Sequence, residues 1–408
     1  MTAIQPTYDE VFTFANLVAS AERCIKNVSW KQSVQHFTLY MYTNCAKLYN
    51  VLHERRYYSK GFTTFFITER GKVRKIQSVH ISERVVQKTL CTYALKPIIT
   101  PSLIYDNAAS LKDRGQDFAI KRFREHLRWH YAHYGRQGGI LICDYHNFFG
   151  SIDHEILLDM LKKRIKDPEL YELTAYFVNC FKGGKGLGLG SEISQICAIY
   201  YPNKLDHTIK EKYRIHGYGR YMDDFYVISE DVDKLKEIFE TVKEISAELH
   251  LELNEKHTNI YRFEDDPVFS FLKCRTRLEE NGKISMRLTP GNVKRRKRWV
   301  KKQRELLDEG RIDYDYIKQS RQTWESYAQR RKQSYNSMQS AKKHFNQMFP
   351  EEVMNEKELV KEMKRTNQKL YYIEQNISKI MQAQKIDHEL IKQLTTLNLD
   401  KSRSVPDL

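Results

Sequence analysis

The chain has 408 residues, 41% hydrophobic and 12% aromatic, which suits two or three domains with a sizeable core and excludes wholesale disorder. No apolar run approaches the roughly 20 residues of a membrane helix, and the start MTAIQPTYDEVF lacks a basic-then-apolar signal, so a soluble cytoplasmic protein is expected. The formal charge is +16, and +10 of it falls between Gly291 and Phe345, where 16 Lys/Arg face 6 Asp/Glu. A one-signed run this dense, with Lys294, Arg295, Arg296, Lys297 and Arg298 at its start, points to a polyphosphate partner held through counterion release. The seven cysteines are scattered without a C-x-x-C pair, so buried reduced thiols are expected rather than disulfides or structural zinc.

Residues 1–55 read as helical, with apolar residues at helical spacing and almost no turn formers. A β-rich run, 62–68, a Glu69-Arg70-Gly71-Lys72 turn and a second run, 73–79, read as a hairpin with a basic tip. Helix returns over 83–95. Gly139-Ile140-Leu141-Ile142-Cys143-Asp144 is a short apolar run ending in an acid, as a buried strand would be. A helix is expected from about Ser151, with Asp153 and Glu155 in its first turn. The glycine-rich stretch 183–190 then leads into an apolar helix through about Lys210. Residues 218–228 read as strand, acidic turn, strand, with Asp223-Asp224 at the turn. A helix over 232–249, a strand over 251–253 and a hairpin around Asn281-Gly282 follow. After Pro290 the chain turns basic and helical. Beyond Pro350, Leu359, Met363, Leu370, Ile373, Ile377, Ile380, Ile391 and Leu394 fall on a broken 3/4 spacing, the pattern of a coiled coil or a long amphipathic helix.

Two strands that each deliver carboxylates form a coherent device. Phosphoryl transfer by two metals needs hard oxygen ligands shared between ions about 3.5–4 Å apart. Adjacent acids on a tight hairpin, Asp223 and Asp224, can face a third acid, Asp144, at the end of a neighbouring strand. An isolated Asp-Asp pair is usually a surface turn; the β-rich flanks and the apolar run before Asp144 make this combination specific.

Tyr221-Met222-Asp223-Asp224 resembles the Y-x-D-D motif of reverse transcriptases, with Tyr218-Gly219-Arg220 leading into it as in bacterial members. Asp144-Tyr145-His146-Asn147-Phe148-Phe149 resembles the first palm motif of that family, and Arg84-Val85-Val86-Gln87 its fingers segment. Gly190 followed by Ser194-Gln195 resembles the loop-and-helix motif, and Leu253-Asn254-Glu255-Lys256 and Phe271-Leu272-Lys273 resemble the later palm and primer-grip motifs. The resemblance covers about residues 60–290, in the family's order. It implies an α+β right-hand polymerase fold of fingers, antiparallel palm and helical thumb, with a long C-terminal helical extension. The expected division is 1–135 N-terminal helices and fingers, 136–288 palm with interleaved fingers elements, 289–348 basic thumb, and 349–408 extension.

The resemblance further implies that Asp144, Asp223 and Asp224 hold two Mg2+ (or Mn2+) ions, and that Lys256 protonates departing pyrophosphate. Arg74, with Lys72 or Arg70, would grip the incoming triphosphate. Phe149 would stand against the sugar and exclude a 2′-hydroxyl, while Leu189, Gly190 and Gln195 would border the nucleotide. Arg84, Lys273 and residues 294–298 would contact nucleic acid. One departure is informative: Gly188-Leu189-Gly190 stands where many members carry Pro-Gln-Gly, and an apolar residue there resembles diversity-generating retroelement enzymes, in which it accompanies relaxed nucleotide selection. The implied partners are dNTPs, an RNA template such as a dedicated noncoding RNA, the DNA primer or product, and a second copy or a small basic accessory protein on the C-terminal helix. Two biological roles stay open, antiviral defence and retroelement diversification, beside a catalytically silent RNA-binding scaffold and an RNA-making polymerase.

Overall fold

The computed structural model describes residues 5–26, 28–69, 72–330, 334–350, 365–366, 368–373 and 375–376. The chain divides into two compact units, Met1–Thr289 with Arg330–Ser334, and Pro290–Gln329 with Tyr335–Leu408.

Helices α1 (Tyr8–Val11), α2 (Phe14–Ile25), α3 (Gln32–Leu39) and α4 (Met41–His53) open the first unit. Thr13 caps α2 by accepting from the Asn16 amide, and Leu17, Ala21 and Cys24 form its buried stripe. Strands β1 (Phe62–Glu69) and β2 (Lys72–Val79) pair from Phe62↔Val79 to Glu69↔Lys72, and the two loop residues between them, Arg70 and Gly71, lie outside the described residues. Helix α5 (Ile81–Leu90) runs through a π-turn at Cys91–Leu95 into α6 (Lys96–Ile99). Pro97 explains the widened turn, because it has no N–H to donate and its ring would crowd the carbonyl four residues earlier. Helix α7 (Gln116–Tyr134) precedes β3 (Gly139–Cys143) and β4 (Tyr145–His146).

Helices α8 (Phe148–Ser151), α9 (His154–Arg164), α10 (Pro168–Asn179), α11 (Glu192–Tyr200) and α12 (Asn203–His207) come next. The helix expected from Ser151 begins at His154 instead: Asp153 is its cap, accepting from the Glu155 and Ile156 amides. The apolar helix expected to reach Lys210 stops at Tyr200, two residues before Pro202, and resumes as α12. Strands β5 (Gly217–Tyr221) and β6 (Asp224–Ser229), helix α13 (Val232–Glu248), β7 (Glu252–Leu253), β8 (Asn259–Arg262), β9 (Phe269–Phe271), β10 (Cys274–Leu278) and β11 (Ile284–Leu288) complete this unit.

The central sheet has the order β5-β6-β3-β8 and is antiparallel throughout. All five residues of β3 are buried, because the sheet is covered on both faces. Ile140 and Ile142 join Phe123 and Leu127 of α7 with Phe269 and Phe271, while Leu141 and Cys143 join Leu235, Ile238, Val242 and Ile245 of α13. The period-two alternation of the strand thus feeds two cores, and each such side chain contributes about 1.5–3 kcal/mol by leaving water. Gly138, at φ +83°, enters this strand where a Cβ would meet the Ser229 carbonyl oxygen at 2.1 Å.

The second unit holds α14 (Pro290–Asp308), α15 (Tyr314–Gln329) and α16 (Tyr335–Met348) around Val300, Ile317, Phe345 and Phe349. Of the apolar series expected beyond Pro350, only Leu370 and Ile373 are described, both exposed, and the rest lies outside the described residues. No helix among the described residues is long and apolar enough to cross a membrane. All seven cysteines are free, six of them buried.

Candidate active site

Strand β3 ends at Cys143, which places Asp144 at the rim of the sheet beside the β5–β6 turn. That turn is two residues long, Met222-Asp223, between the paired Tyr221 and Asp224. Met222 holds φ +57°, a conformation that costs a non-glycine residue free energy and persists where its surroundings impose it. Asp144, Asp223 and Asp224, all half-buried, bring one carboxylate oxygen each to within 4.8 Å of the others, the only such group among the described residues.

The restraint on the turn is visible. Arg220, fully buried on β5, donates to the Met222 carbonyl at 3.2 Å and pairs with the fully buried Asp206 of α12 through Nε (2.8 Å) and Nη2 (2.6 Å). Its Nη2 also donates to the Ile199 carbonyl at 2.7 Å, and Tyr218 Oη donates to Asp206 at 2.6 Å. On the other side, Asn254 receives the chain from β7 and fixes Asp144 twice: Nδ2 donates to its carboxylate at 2.9 Å, and the amide to its carbonyl at 2.7 Å. Asn254 and Arg220 are the functional residues that sequence reasoning passed over, although both stand inside motifs it quoted.

Electrostatically the three acids demand a cation. Burial first, then the charges of Asp223 and Asp144, push the Asp224 carboxyl up to about 8. Burial and Asp144 also raise Asp223, against the opposing pull of Lys273 and Arg74. Lys273 sits at φ +61° beside Leu272 at φ +48°, in the two-residue turn that joins Phe271 of β9 to Cys274 of β10. Three convergent hard oxygens with no neutralising proton at working pH fit a divalent ion, by charge and by donor type. The sign of the linkage follows. The raised pKa means that the folded chain keeps a proton which the unfolded chain releases above its ordinary value of 3.8, so metal-free stability falls as pH rises from there to about 8. Asp224→Asn is therefore expected to raise the metal-free melting temperature, by more at pH 8 than at pH 5. Equal gains at both pH values, read by thermal unfolding in chelator, would contradict this electrostatic account.

The fingers hairpin reaches the glycine-rich loop through its backbone: the Gln77 amide donates to the Leu189 carbonyl at 3.2 Å, in a parallel bridge of Ile76 with Leu189. Gly188 is required here, since a Cβ would lie 2.2 Å from the Phe181 ring, which stacks on Phe62 at 4.8 Å. The Leu187 amide donates to the Phe149 carbonyl at 2.7 Å, tying the loop to α8, where Phe149 packs half-buried against Phe148. Arg74 lies exposed on β2, opposite Ile67. Lys72 starts the same strand, and Arg70 lies outside the described residues. Gln195 is exposed on α11 and accepts from Ser110 Oγ, and Arg84 donates to Ser78 Oγ; both line a separate basic pocket together with Gly190. Lys256 is exposed just beyond Asn254. In the second unit Lys294, Arg295 and Arg298 are exposed, and Lys297 donates to Ser340 Oγ. Arg296 corrects the expectation of a uniformly outward basic run: it is buried, donates to Ser320 Oγ at 2.9 Å and lies over the Trp324 ring, because α14 buries this helical position with Val300 and Gln303.

An antiparallel sheet that presents three carboxylates from two adjacent strands, faced by lysine and arginine charge, defines a nucleotide-polymerising palm. Residues 63–307 match the family model described as reverse transcriptase (RNA-dependent DNA polymerase), more than half of the chain. The chain belongs to the reverse transcriptase family and has its right-hand fold; it is an RNA-directed DNA polymerase by family, and such enzymes use divalent metal ions. The structure of telomerase from Candida albicans in complex with a fragment of telomeric RNA is similar at 11% identity and a TM-score of 0.43, over 59% of this chain and 50% of that one. The chain thus spans half the length of that protein. No curated protein matches the sequence.

Proposed function

We propose that the chain copies an RNA template into DNA at the Asp144, Asp223 and Asp224 cluster, with two Mg2+ ions (or Mn2+) as the resident cations. The observation that carries this reading is the convergence of the three carboxylates on a restrained turn. Divalent ions held there would supply Lewis acidity toward the primer 3′-hydroxyl and charge to offset the departing pyrophosphate. The chain's own groups do the rest. Asn254 keeps the Asp144 carboxylate oriented, and Arg220 keeps Asp223 in place through the Met222 carbonyl. Arg74, with Lys72 and Arg70 from the same hairpin, grips the triphosphate, and Lys256 delivers a proton to pyrophosphate. Lys273 and the exposed bases of 294–298 hold the nucleic-acid backbone.

In this reading Phe149 excludes a 2′-hydroxyl. Phe149→Ala is expected to raise ribonucleotide over deoxynucleotide incorporation by roughly 10- to 100-fold in single-turnover extension; an unchanged ratio would point to an RNA-making polymerase. The biological setting we infer is a bacterial antiviral defence system in which a dedicated noncoding RNA is copied and the C-terminal region assembles copies or partners. A second reading, mutagenic copying in a diversity-generating retroelement, is favoured by Leu189 between Gly188 and Gly190, which leaves no side-chain amide beside the nucleotide. Leu189→Gln should then lower misincorporation, and identical error spectra for parent and variant would remove that reading.

The deciding experiment sequences the RNA and DNA that copurify from the native locus beside an Asp223→Asn, Asp224→Asn control. DNA complementary to one bound RNA, absent from the control, is the expected result. RNA without DNA in both samples would favour a scaffold. Adenine-biased errors would assign diversification, and repeats or homopolymers defence.

A further inference from the structure

The N-terminal helices lie before the family-matched segment 63–307, yet one of them builds a wall of a pocket shared with the polymerase region. This cavity, about 440 Å³, is lined by Arg23 and Lys26 of α2, Arg84 and Lys88 of α5, Lys96 of α6, and Gly190, Glu192 and Gln195 at the start of α11. Its charge is lopsided: five cations face one acid. Glu192 is already engaged by two of them, Lys88 at 2.9 Å and Lys96 at 2.6 Å, so it holds their ammonium groups in the pocket without neutralising it. Arg84 is half-buried, its guanidinium braced by Ser78 Oγ at 3.2 Å, and none of Arg23, Lys26 and Arg84 has an acidic partner among the described residues.

The placement of this charge is built rather than incidental. Helix α2 packs on α5 through Leu17, Ala21 and Cys24, and Cys24 Sγ donates to the Arg84 carbonyl at 3.7 Å. Ser191, which caps α11, donates to Gln87 Oε1 at 3.0 Å, so α5 and the start of α11 are joined beside the same cavity. A core this apolar carries its basic rim at a fixed spacing, as a phosphate-binding surface needs. The pocket also touches Gly190, one residue from the Leu189 carbonyl that the fingers strand grips.

We propose that this pocket binds the phosphodiester backbone of unpaired RNA, the template strand ahead of the base being copied, and that α2 supplies its outer wall through Arg23 and Lys26. This inference rests on the template-copying reading above. Its chemistry is a run of phosphates taken by arginine and lysine together, sequence-independent and salt-sensitive.

The test uses the full chain, chelator to prevent turnover, and one DNA primer annealed to RNA templates with either a single unpaired 5′ nucleotide or about eight of them. Affinity is read by fluorescence anisotropy across a salt series. The native chain is expected to hold the long overhang at least about fivefold tighter, and R23E/K26E to lose that advantage, with the salt slope falling by roughly one. R23Q/K26Q should lose about half of it, and thermal unfolding of both variants checks that α2 still packs. Persistence of the overhang advantage in both variants, or its absence in the native chain, overturns the proposal. Displacement of the overhang by micromolar tripolyphosphate would assign the pocket to free triphosphate and likewise overturn it. Primer extension with dNTPs and Mg2+ separates the two readings: an intact overhang advantage without any extension supports the pocket and rejects DNA synthesis.

Discussion

Replacing Asp223 by Asn is expected to lower primer extension by at least about 10³-fold, which corresponds to roughly 4 kcal/mol of lost transition-state stabilisation. The change keeps the shape of the side chain and removes its charge, so the two-residue turn and its Arg220 contact should survive. What is lost is one of three anionic oxygens that converge within 4.8 Å, and with it the affinity of the site for a hard divalent ion. The control is stability: with less repulsion against Asp144 and Asp224, the metal-free variant should melt no lower than the parent. Extension measured with Mg2+ and again with excess Mn2+ checks the claim. Retention of more than a tenth of the parent rate would move the chemistry away from these acids.

Asp206→Ala should be the most destabilising single change near the site. It leaves the Arg220 guanidinium, fully buried, without the carboxylate that takes its Nε and Nη2. Breaking a buried pair from one side costs about 3–5 kcal/mol, because the remaining charge is uncompensated, and a fall of roughly ten degrees in the melting temperature is expected. The double change Asp206→Leu, Arg220→Met removes both charges and should recover most of that loss. It should not recover activity, because the Met222 carbonyl has lost its donor and the turn that carries Asp223 is no longer held. A double variant that regained both stability and full extension would show that the Arg220 contact does not position the turn.

The elements that were legible in the sequence are those whose signal is local. The β3 run, the 62–79 hairpin and α13 follow from periodicity two or 3.6, and the structure has each within a residue or two of the expected bounds. Helix α7 gave little signal because its inner face mixes Phe123 and Leu127 with His126 and His130, whose polar atoms are satisfied only by Tyr226 Oη and the Gln137 carbonyl, far along the chain or beyond the helix end. Helix α10 was hidden between two glycine- and charge-rich stretches, although Asp167 and Pro168 form a cap and first turn.

The sequence by itself determined the carboxylates and their order, the strand–turn–strand that carries two of them, and the excess of basic charge, because each depends on residues within a few positions of one another. Only the tertiary structure decided that Asn254 holds Asp144, that Lys273 faces Asp223 and Asp224, that Arg296 turns inward, and that α2 joins α5 and α11 around one basic pocket. These depend on sheet register and helix packing across a hundred residues or more in most cases, and hydrophobic burial sets those distances without leaving a local mark on the residues that come to touch.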